Sequence, residues 1–248
     1  MRLKQRLLGV VGNRLFAKGE ILAVSDPAPR FRLIEIRSPA FWDREWVPGA
    51  KIQINVGAWN VRTYTPVSLD PKWGTLKILA YRHASAPETE ASQAIEAPGS
   101  RWAAQLFPGD TCRFIGPRAS LRVPETASPL IVYGDETVIP TAASYRFQHS
   151  GGADTVHAVF AVDDPAQGPA VAEAVGLANA RFFSKAGAAA DARAALAALG
   201  REHPDAPIIL AGHAQSIRTA RVYLRDQGVP MSRLKIKVYW ADGRTGLD

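Results

Sequence analysis

The feature that most constrains this chain is a change of hydrophobic period near Pro129. Before it, short apolar segments alternate with period two, as Phe31-Arg32-Leu33-Ile34-Glu35-Ile36-Arg37 and Lys51-Ile52-Gln53-Ile54-Asn55-Val56 do. Thr75-Leu76-Lys77-Ile78-Leu79-Ala80-Tyr81 and Thr111-Cys112-Arg113-Phe114-Ile115 follow. Each presents one face to a core, and Pro48-Gly49, Asp70-Pro71 and Pro108-Gly109-Asp110 supply turns between them. Short strands at this spacing predict an antiparallel β-barrel, interrupted by a short helix over Arg101 to Leu106. After Pro129 the compact apolar run Leu130-Ile131-Val132-Tyr133 ends at Gly134, and a helix is expected to about His149. A strand over Thr155 to Val162, a helix over Ala188 to Leu199, a strand at Ile208 to Ala211, a helix over Gln215 to Gln227 and a strand over Leu234 to Trp240 complete the series. Strand–helix alternation predicts a parallel sheet covered by helices. The expectation is two domains, a barrel over 1–125 and an α/β domain over 126–248, with Pro124 to Pro129 as linker.

The 248 residues are enough for two modest domains, and 47% hydrophobic residues are enough to core them. With one cysteine, Cys112, no disulfide can form within the chain, and an iron–sulfur centre lacks its thiolates. Five dispersed histidines make no recognisable metal site. The N-terminus, Met1 to Val11, has the charge of a signal peptide, but its apolar run is too short and Asn13, Arg14 and Lys18 follow. No stretch reaches the length of a membrane span. The expectation is therefore a cytoplasmic protein without membrane insertion. The formal charge is +7, from 30 Lys and Arg against 23 Asp and Glu, and favours anionic partners. The basic residues are scattered without interleaved aromatics, which argues against nucleic acid.

Four motifs carry possible chemistry. In Arg62-Thr63-Tyr64-Thr65-Pro66, strand alternation puts Arg62 and Tyr64 on one face, where a cation and a ring can meet one ligand; a plain surface pair reads the same. Pro98-Gly99-Ser100-Arg101-Trp102 has the pattern of a helix start with Ser100 as N-cap, and so of an anion site; a capped helix with Trp102 in the core is the alternative. Gly134-Asp135-Glu136-Thr137-Val138-Ile139-Pro140 follows a strand and opens a helix, where open α/β sheets bind ligands. Ala211-Gly212-His213 repeats that junction, and His213 there can cap, titrate or face solvent. Asp163-Asp164, after the second strand of the α/β half, reads either as an acceptor for an adenosine ribose, favouring NADH, or as a solvated turn before Pro165. Gly-x-Gly-x-x-Gly, a phosphate-loop Gly-Lys-Ser and Gly-x-Ser-x-Gly are absent.

Taken in order, Arg-x-Tyr-Thr, the Pro-Gly-Ser helix start, Gly116-Pro117-Arg118, Gly-Asp-Glu-Thr-x-x-Pro and the ending Tyr239-Trp240-x-x-Gly243 resemble the siderophore-interacting proteins, ferric-siderophore reductases within the ferredoxin–NADP reductase superfamily. The resemblance runs from about Phe31 to Gly243. It implies a protein that binds FAD in the barrel, takes hydride from NADH or NADPH, and reduces Fe(III) in a ferric siderophore or other anionic ferric chelate; a monomer is expected. It further implies that Arg62, Tyr64, Thr65 and His83 hold the flavin and that Gly99, Ser100 and Trp102 cradle its pyrophosphate. Asp135, Glu136, Thr137 and Pro140 would border the nicotinamide, with Gly212 and Trp240 near the dinucleotide. The chemistry is then the flavin's, and no side chain is assigned as a catalytic acid or base. Arg82, Arg101, Arg118, Arg122 and Lys185 are the candidate basic rim for the chelate, with plain solvated surface the default reading for each. A flavin reductase for another acceptor, and a non-catalytic flavoprotein or basic binding module, are the rival readings. The chain departs from the family pattern at Val67, where an arginine is usual, and in a longer stretch from Ala84 to Ala97.

Overall fold

The computed structural model describes residues 16–57, 60–83, 97–123, 129–146 and 155–243. The signal-like start, most of the Ala84–Ala97 stretch, most of the expected linker and the helix end near His149 lie outside the described residues. The chain divides into two compact units: one up to Asp26 with Arg30–Ala119, the other Pro27–Pro29 with Ser120 onward.

The first unit is a seven-stranded antiparallel sheet of β1 (Ala17–Ala28), β2 (Phe31–Arg37), β3 (Lys51–Asn55), β4 (Val61–Tyr64), β5 (Pro66–Asp70), β6 (Thr75–Tyr81) and β7 (Thr111–Arg118). The strand order is β4-β3-β7-β1-β2-β6-β5. Its two edge strands, β4 and β5, are consecutive in the chain and joined through Thr65 alone, so the sheet curls back on itself as a barrel must. The period-two pattern fills the interior: Ile34, Ile36, Ile52, Ile54, Leu76, Ile78 and Phe114 are wholly buried, each contributing roughly 1.5–3 kcal/mol. Phe41 stacks on Phe114 at 4.7 Å. Cys112 joins this core, and burial raises its thiol to about 12, so it stays protonated and inert at neutral pH.

Helix α1 (Pro98–Gln105) crosses the barrel between β6 and β7, starting three residues before the predicted Arg101. Arg32 of β2, nearly buried, donates to the carbonyls of Ala104 and Leu106 at 3.3 and 2.7 Å. Its guanidinium thereby satisfies the C-terminal carbonyls of α1 and opposes the negative end of the helix.

The second unit is a parallel sheet of β8 (Leu130–Gly134), β9 (Val156–Val162), β10 (Asn179–Ser184), β11 (Ile208–His213) and β12 (Leu234–Trp240), in the order β10-β9-β8-β11-β12. Helices α2 (Ile139–Tyr145), α3 (Gly168–Val175), α4 (Ala189–Glu202) and α5 (Ala214–Asp226) connect the strands. Numbered along this unit the order is 3-2-1-4-5, and the direction of winding reverses between β8 and β11. Ligands of open α/β sheets bind beyond the carboxyl ends of the strands at that reversal.

Candidate functional site

On the barrel, Arg62 and Tyr64 lie opposite Ile54 and Ile52 of β3 and share the face that meets α1. Gly99 is the contact point: a Cβ there would stand 3.2 Å from both Arg62 Cγ and the Tyr64 hydroxyl. Trp102, one turn further along α1, tilts against Tyr64 with ring centroids 5.9 Å apart. Burial pushes the Tyr64 phenol well up, the Arg62 charge acting weakly the other way. Arg62 anchors one arm on the Val61 carbonyl at 2.9 Å. A cation, two aromatic planes and a gap left by a missing side chain thus converge on one end of the barrel, with Thr65 at the seam beside them.

Ser100 is a correction. It is not the N-cap; Ala97 holds that position and gives no side-chain cap. With the helix begun at Pro98, Ser100 is buried in the first turn, and its hydroxyl accepts the His83 backbone N–H at 3.2 Å. The backbone N–H groups of Ser100 and Arg101 both turn back to the Ala97 carbonyl. The helix start is therefore poorer in outward amides than the sequence pattern implies, because Pro98 supplies none and the next turn uses its own. Ser100 ties the end of β6 to α1, and the His83 ring itself rests edge-on against Tyr81 at 5.0 Å. Val67 is 2% exposed, so the position where the resemblance led to an expected arginine is an interior packing site here.

At the carboxyl edge of the parallel sheet, the neighbours Asp135 and Glu136 reach in opposite directions. Asp135, 4% exposed, accepts four donors. Oδ1 takes the Thr137 N–H at 2.9 Å and the Thr137 hydroxyl at 2.5 Å. Oδ2 takes the His213 N–H at 3.0 Å and the Trp240 indole N–H at 2.9 Å. One carboxylate thus staples the ends of β8, β11 and β12 across the winding reversal. It also explains Gly212: φ is +98°, and a Cβ would sit 2.6 Å from Asp135 Oδ2. The glycine makes room for a carboxylate of the protein itself. Trp240 stacks on the His213 ring at 4.3 Å, and His213 Nε2 lies 3.2 Å from Asp242. Of the readings open for His213, capping by its side chain is not observed.

Glu136, 3% exposed, accepts the Asp163 N–H at 2.6 Å and the Lys185 ammonium at 2.5 Å. Lys185 also lies 3.1 Å from the Asp163 carboxylate. Burial lowers the Lys185 pKa, but the hydrogen bond and charge of Glu136, with Asp135 and Asp163, outweigh it and hold the ammonium above its ordinary value. Lys185 is thus an internal tie between the ends of β8, β9 and β10, not a loose rim cation. No sequence signal announces this pairing, since its partners are 49 residues apart. Asp164 caps a short 3-10 turn, accepting from the Ala166 N–H and the Gln167 amide, while Asp163 holds Lys185. Pro140 is buried in the first turn of α2, and Thr137 is half-buried beside Asp135.

Among the described residues no cluster of His, Cys, Asp and Glu could hold a metal, and no helix is long and apolar enough to cross a membrane. Of the rim candidates, Arg82 approaches Asp26 at 3.7 Å and Arg118 donates to Gln53 at 2.6 Å, while Arg101 and Arg122 are exposed.

No curated protein matches the chain significantly. Among solved structures, it is similar to the siderophore-interacting protein of Acinetobacter baumannii, with TM-score 0.68 and 20% identity over 93% of this chain and 92% of that one. It is also similar to a siderophore utilization protein from T. fusca, with TM-score 0.65 and 23% identity over 94% and 95%. The ferredoxin reductase of a carbazole 1,9a-dioxygenase gives TM-score 0.69 at 15% identity, over 91% of this chain and 67% of that one. At these identities the likeness is one of fold. The sequence itself matches the siderophore-interacting FAD-binding domain over residues 39–121 and the siderophore-interacting protein model over 127–243. The two matched spans adjoin, and the first contains most of the barrel with its Arg62–Tyr64–Gly99 cluster. The chain therefore belongs to the siderophore-interacting protein family and carries that family's FAD-binding domain.

Proposed function

We propose that this flavin-dependent reductase oxidises NADH or NADPH and reduces Fe(III) held in an anionic ferric siderophore. The observation that carries the reading is the cluster on the barrel, where a matched FAD-binding domain brings Arg62, Tyr64, Gly99 and Trp102 together. These groups fit FAD. Tyr64 and Trp102 offer aromatic planes for a flat ring system, and Arg62 offers charge to a phosphate. Gly99 keeps the cradle open where a Cβ would fill it. Thr65 and His83 flank the cluster, and Ser100 fixes its floor through the His83 backbone. In the second unit, Thr137 and Trp240 would line the nucleotide site, while Asp135 and Glu136 hold the strand ends that shape it, Gly212 makes room for the Asp135 carboxylate and Pro140 packs inside the first turn of α2.

FAD, when bound, converts one two-electron hydride into two one-electron deliveries. Overall, NAD(P)H and two Fe(III) centres would give NAD(P)+, one proton released to solvent and two Fe(II), which the chelate holds less tightly. The chain's part is to orient both partners and to attract an anion, for which its formal charge of +7 is suited. The interior valine at position 67 favours a second reading, in which the acceptor is a different oxidant. Steady-state turnover separates the two. Anaerobic NAD(P)H oxidation with a ferric hydroxamate, and Fe(II) trapped by a chromogenic chelator, is expected to yield two Fe(II) per nucleotide. Rates that stay at background with ferric chelates but rise with quinones would overturn the siderophore assignment.

A further inference from the structure

We infer that this chain discriminates against the 2′-phosphate of NADPH and uses NADH, with Asp163 as the specificity-determining residue. The inference rests on the reductase reading above and concerns the same nucleotide. In the classic dinucleotide-binding sheet, whose strand order begins 3-2-1-4-5 as this one does, the adenosine ribose reaches the carboxyl end of the second strand, where an acidic residue takes the 2′-hydroxyl or a cation accommodates the 2′-phosphate; this chain has that order without the Gly-x-Gly-x-x-Gly turn. Here the second strand is β9, ending at Val162, and the residue after it is Asp163.

The cation that flanks this end is Lys185, one residue beyond β10. A lysine there would ordinarily argue for NADPH. Its geometry argues the reverse. Nζ is bound at 2.5 Å to Glu136, a carboxylate with 3% exposure, and stands 3.1 Å from Asp163. A 2′-phosphate would meet an ammonium whose charge Glu136 and Asp163 already offset, and drawing it off Glu136 would strand a buried carboxylate without its counter-charge, which is the costly way to break such a pair. Two carboxylates share one ammonium, so the local balance is negative before Asp164 is counted. Asp164 is turned away into the cap of the next turn, on Ala166 and Gln167. Asp163 is half-exposed and fixed in place by Lys185 and by its own N–H on Glu136. It therefore presents an immobilised carboxylate, which suits a ribose hydroxyl and repels a phosphate.

Two measurements test this on the full chain. The first is binding, by calorimetry, of 5′-AMP and of adenosine 2′,5′-bisphosphate, the adenosine halves of the two nucleotides. The second is the ratio of kcat/KM for NADH to that for NADPH in the FAD-loaded protein. Preference for 5′-AMP, and an NADH:NADPH ratio of at least about tenfold, are expected. Asp163→Ala should shrink that ratio by about tenfold, losing the ribose acceptor and removing one of the two carboxylates that offset Lys185, which stays on Glu136. Asp163→Asn should do the same to a smaller extent. Tighter binding of the bisphosphate, a wild-type preference for NADPH, or a ratio unmoved by both variants overturns the inference while the reductase reading stands. Failure of both nucleotides to reduce the flavin overturns the reductase reading, and this inference with it.

Discussion

Asp135 shows how one residue can be placed correctly by sequence and still be misread. Its position after a strand and before a helical turn is legible, because Gly134 ends an apolar run there. Its partners are not, because His213 and Trp240 are 78 and 105 residues away. Each carboxylate oxygen accepts two donors, whereas an amide can accept at only one of its two positions. Asp135→Asn should therefore set an NH2 against two donors and destabilise the protein by about 2–4 kcal/mol. Urea unfolding measures this, and the Trp240 emission should shift in the native state. Loss below about 0.5 kcal/mol would mean that the four bonds are not held in solution. Gly212→Ala should cost a comparable amount, at least roughly 1–3 kcal/mol, from its positive φ and the displaced carboxylate. Tyr64→Ala tests the other cluster. The purified variant should retain less FAD per chain than wild type, read from its absorbance ratio, and an unchanged flavin content would remove Tyr64 from the flavin site.

At the scale of elements, the segments that were legible are those whose environment is uniform. The barrel strands β2, β3, β6 and β7 alternate because one face is buried, and β8, β9 and β11 are apolar because both faces are. Three strands escaped, and the shortest of them, β5, opens on Pro66 and buries its first two residues instead of alternating. β1 reads Ala-Lys-Gly-Glu-Ile-Leu-Ala-Val-Ser-Asp-Pro-Ala, with residues that disfavour strands, and its partners dictate it instead. Gly19 belongs there because a Cβ would come within 2.6 Å of Ile36 Cγ2. β10 is an edge strand whose two phenylalanines are only half-buried, so its alternation is blurred. Helix α3 was missed beside it; Gly168 opens that helix against the ring of Phe182, where a Cβ would clash.

A pH response belongs to this scale as well. His157 of β9 stacks on His203, the C-cap of α4, with ring centroids 4.7 Å apart. Burial, then the neighbouring His203 and more weakly Arg181, lower the His157 pKa below its ordinary 6.5, Glu202 opposing them. A histidine lowered in the folded state binds its proton more readily when unfolded. Its stabilising contribution is thus complete above pH 6.5 and is lost as pH falls through the folded value. The urea midpoint should drop between pH 7.5 and 5.5, and His157→Gln should flatten that drop. An equal drop in the variant would assign the acid sensitivity elsewhere.

For the whole molecule, the two-part architecture follows from the change of period at Pro129, since period two and strand–helix alternation demand different layers. The order of the motifs was legible too, and the matched family spans follow it. What sequence order could not convey is which polar groups the fold consumes internally. Ser100, Asp135, Glu136 and Lys185 all carry chemistry that a ligand could use, and in each the structure commits it to a partner within its own unit. In the proposed site the groups that would meet the cofactor are accordingly fewer and more aromatic than the motif pattern suggests: Tyr64, Trp102 and the Arg62 guanidinium. The central claim is that these serve a hydride-accepting flavoprotein. The visible absorbance spectrum of the purified protein, recorded before and after anaerobic addition of NADH, tests it most directly. Flavin bands that bleach on addition are the predicted result; a protein that shows no flavin bands even after incubation with FAD would contradict it.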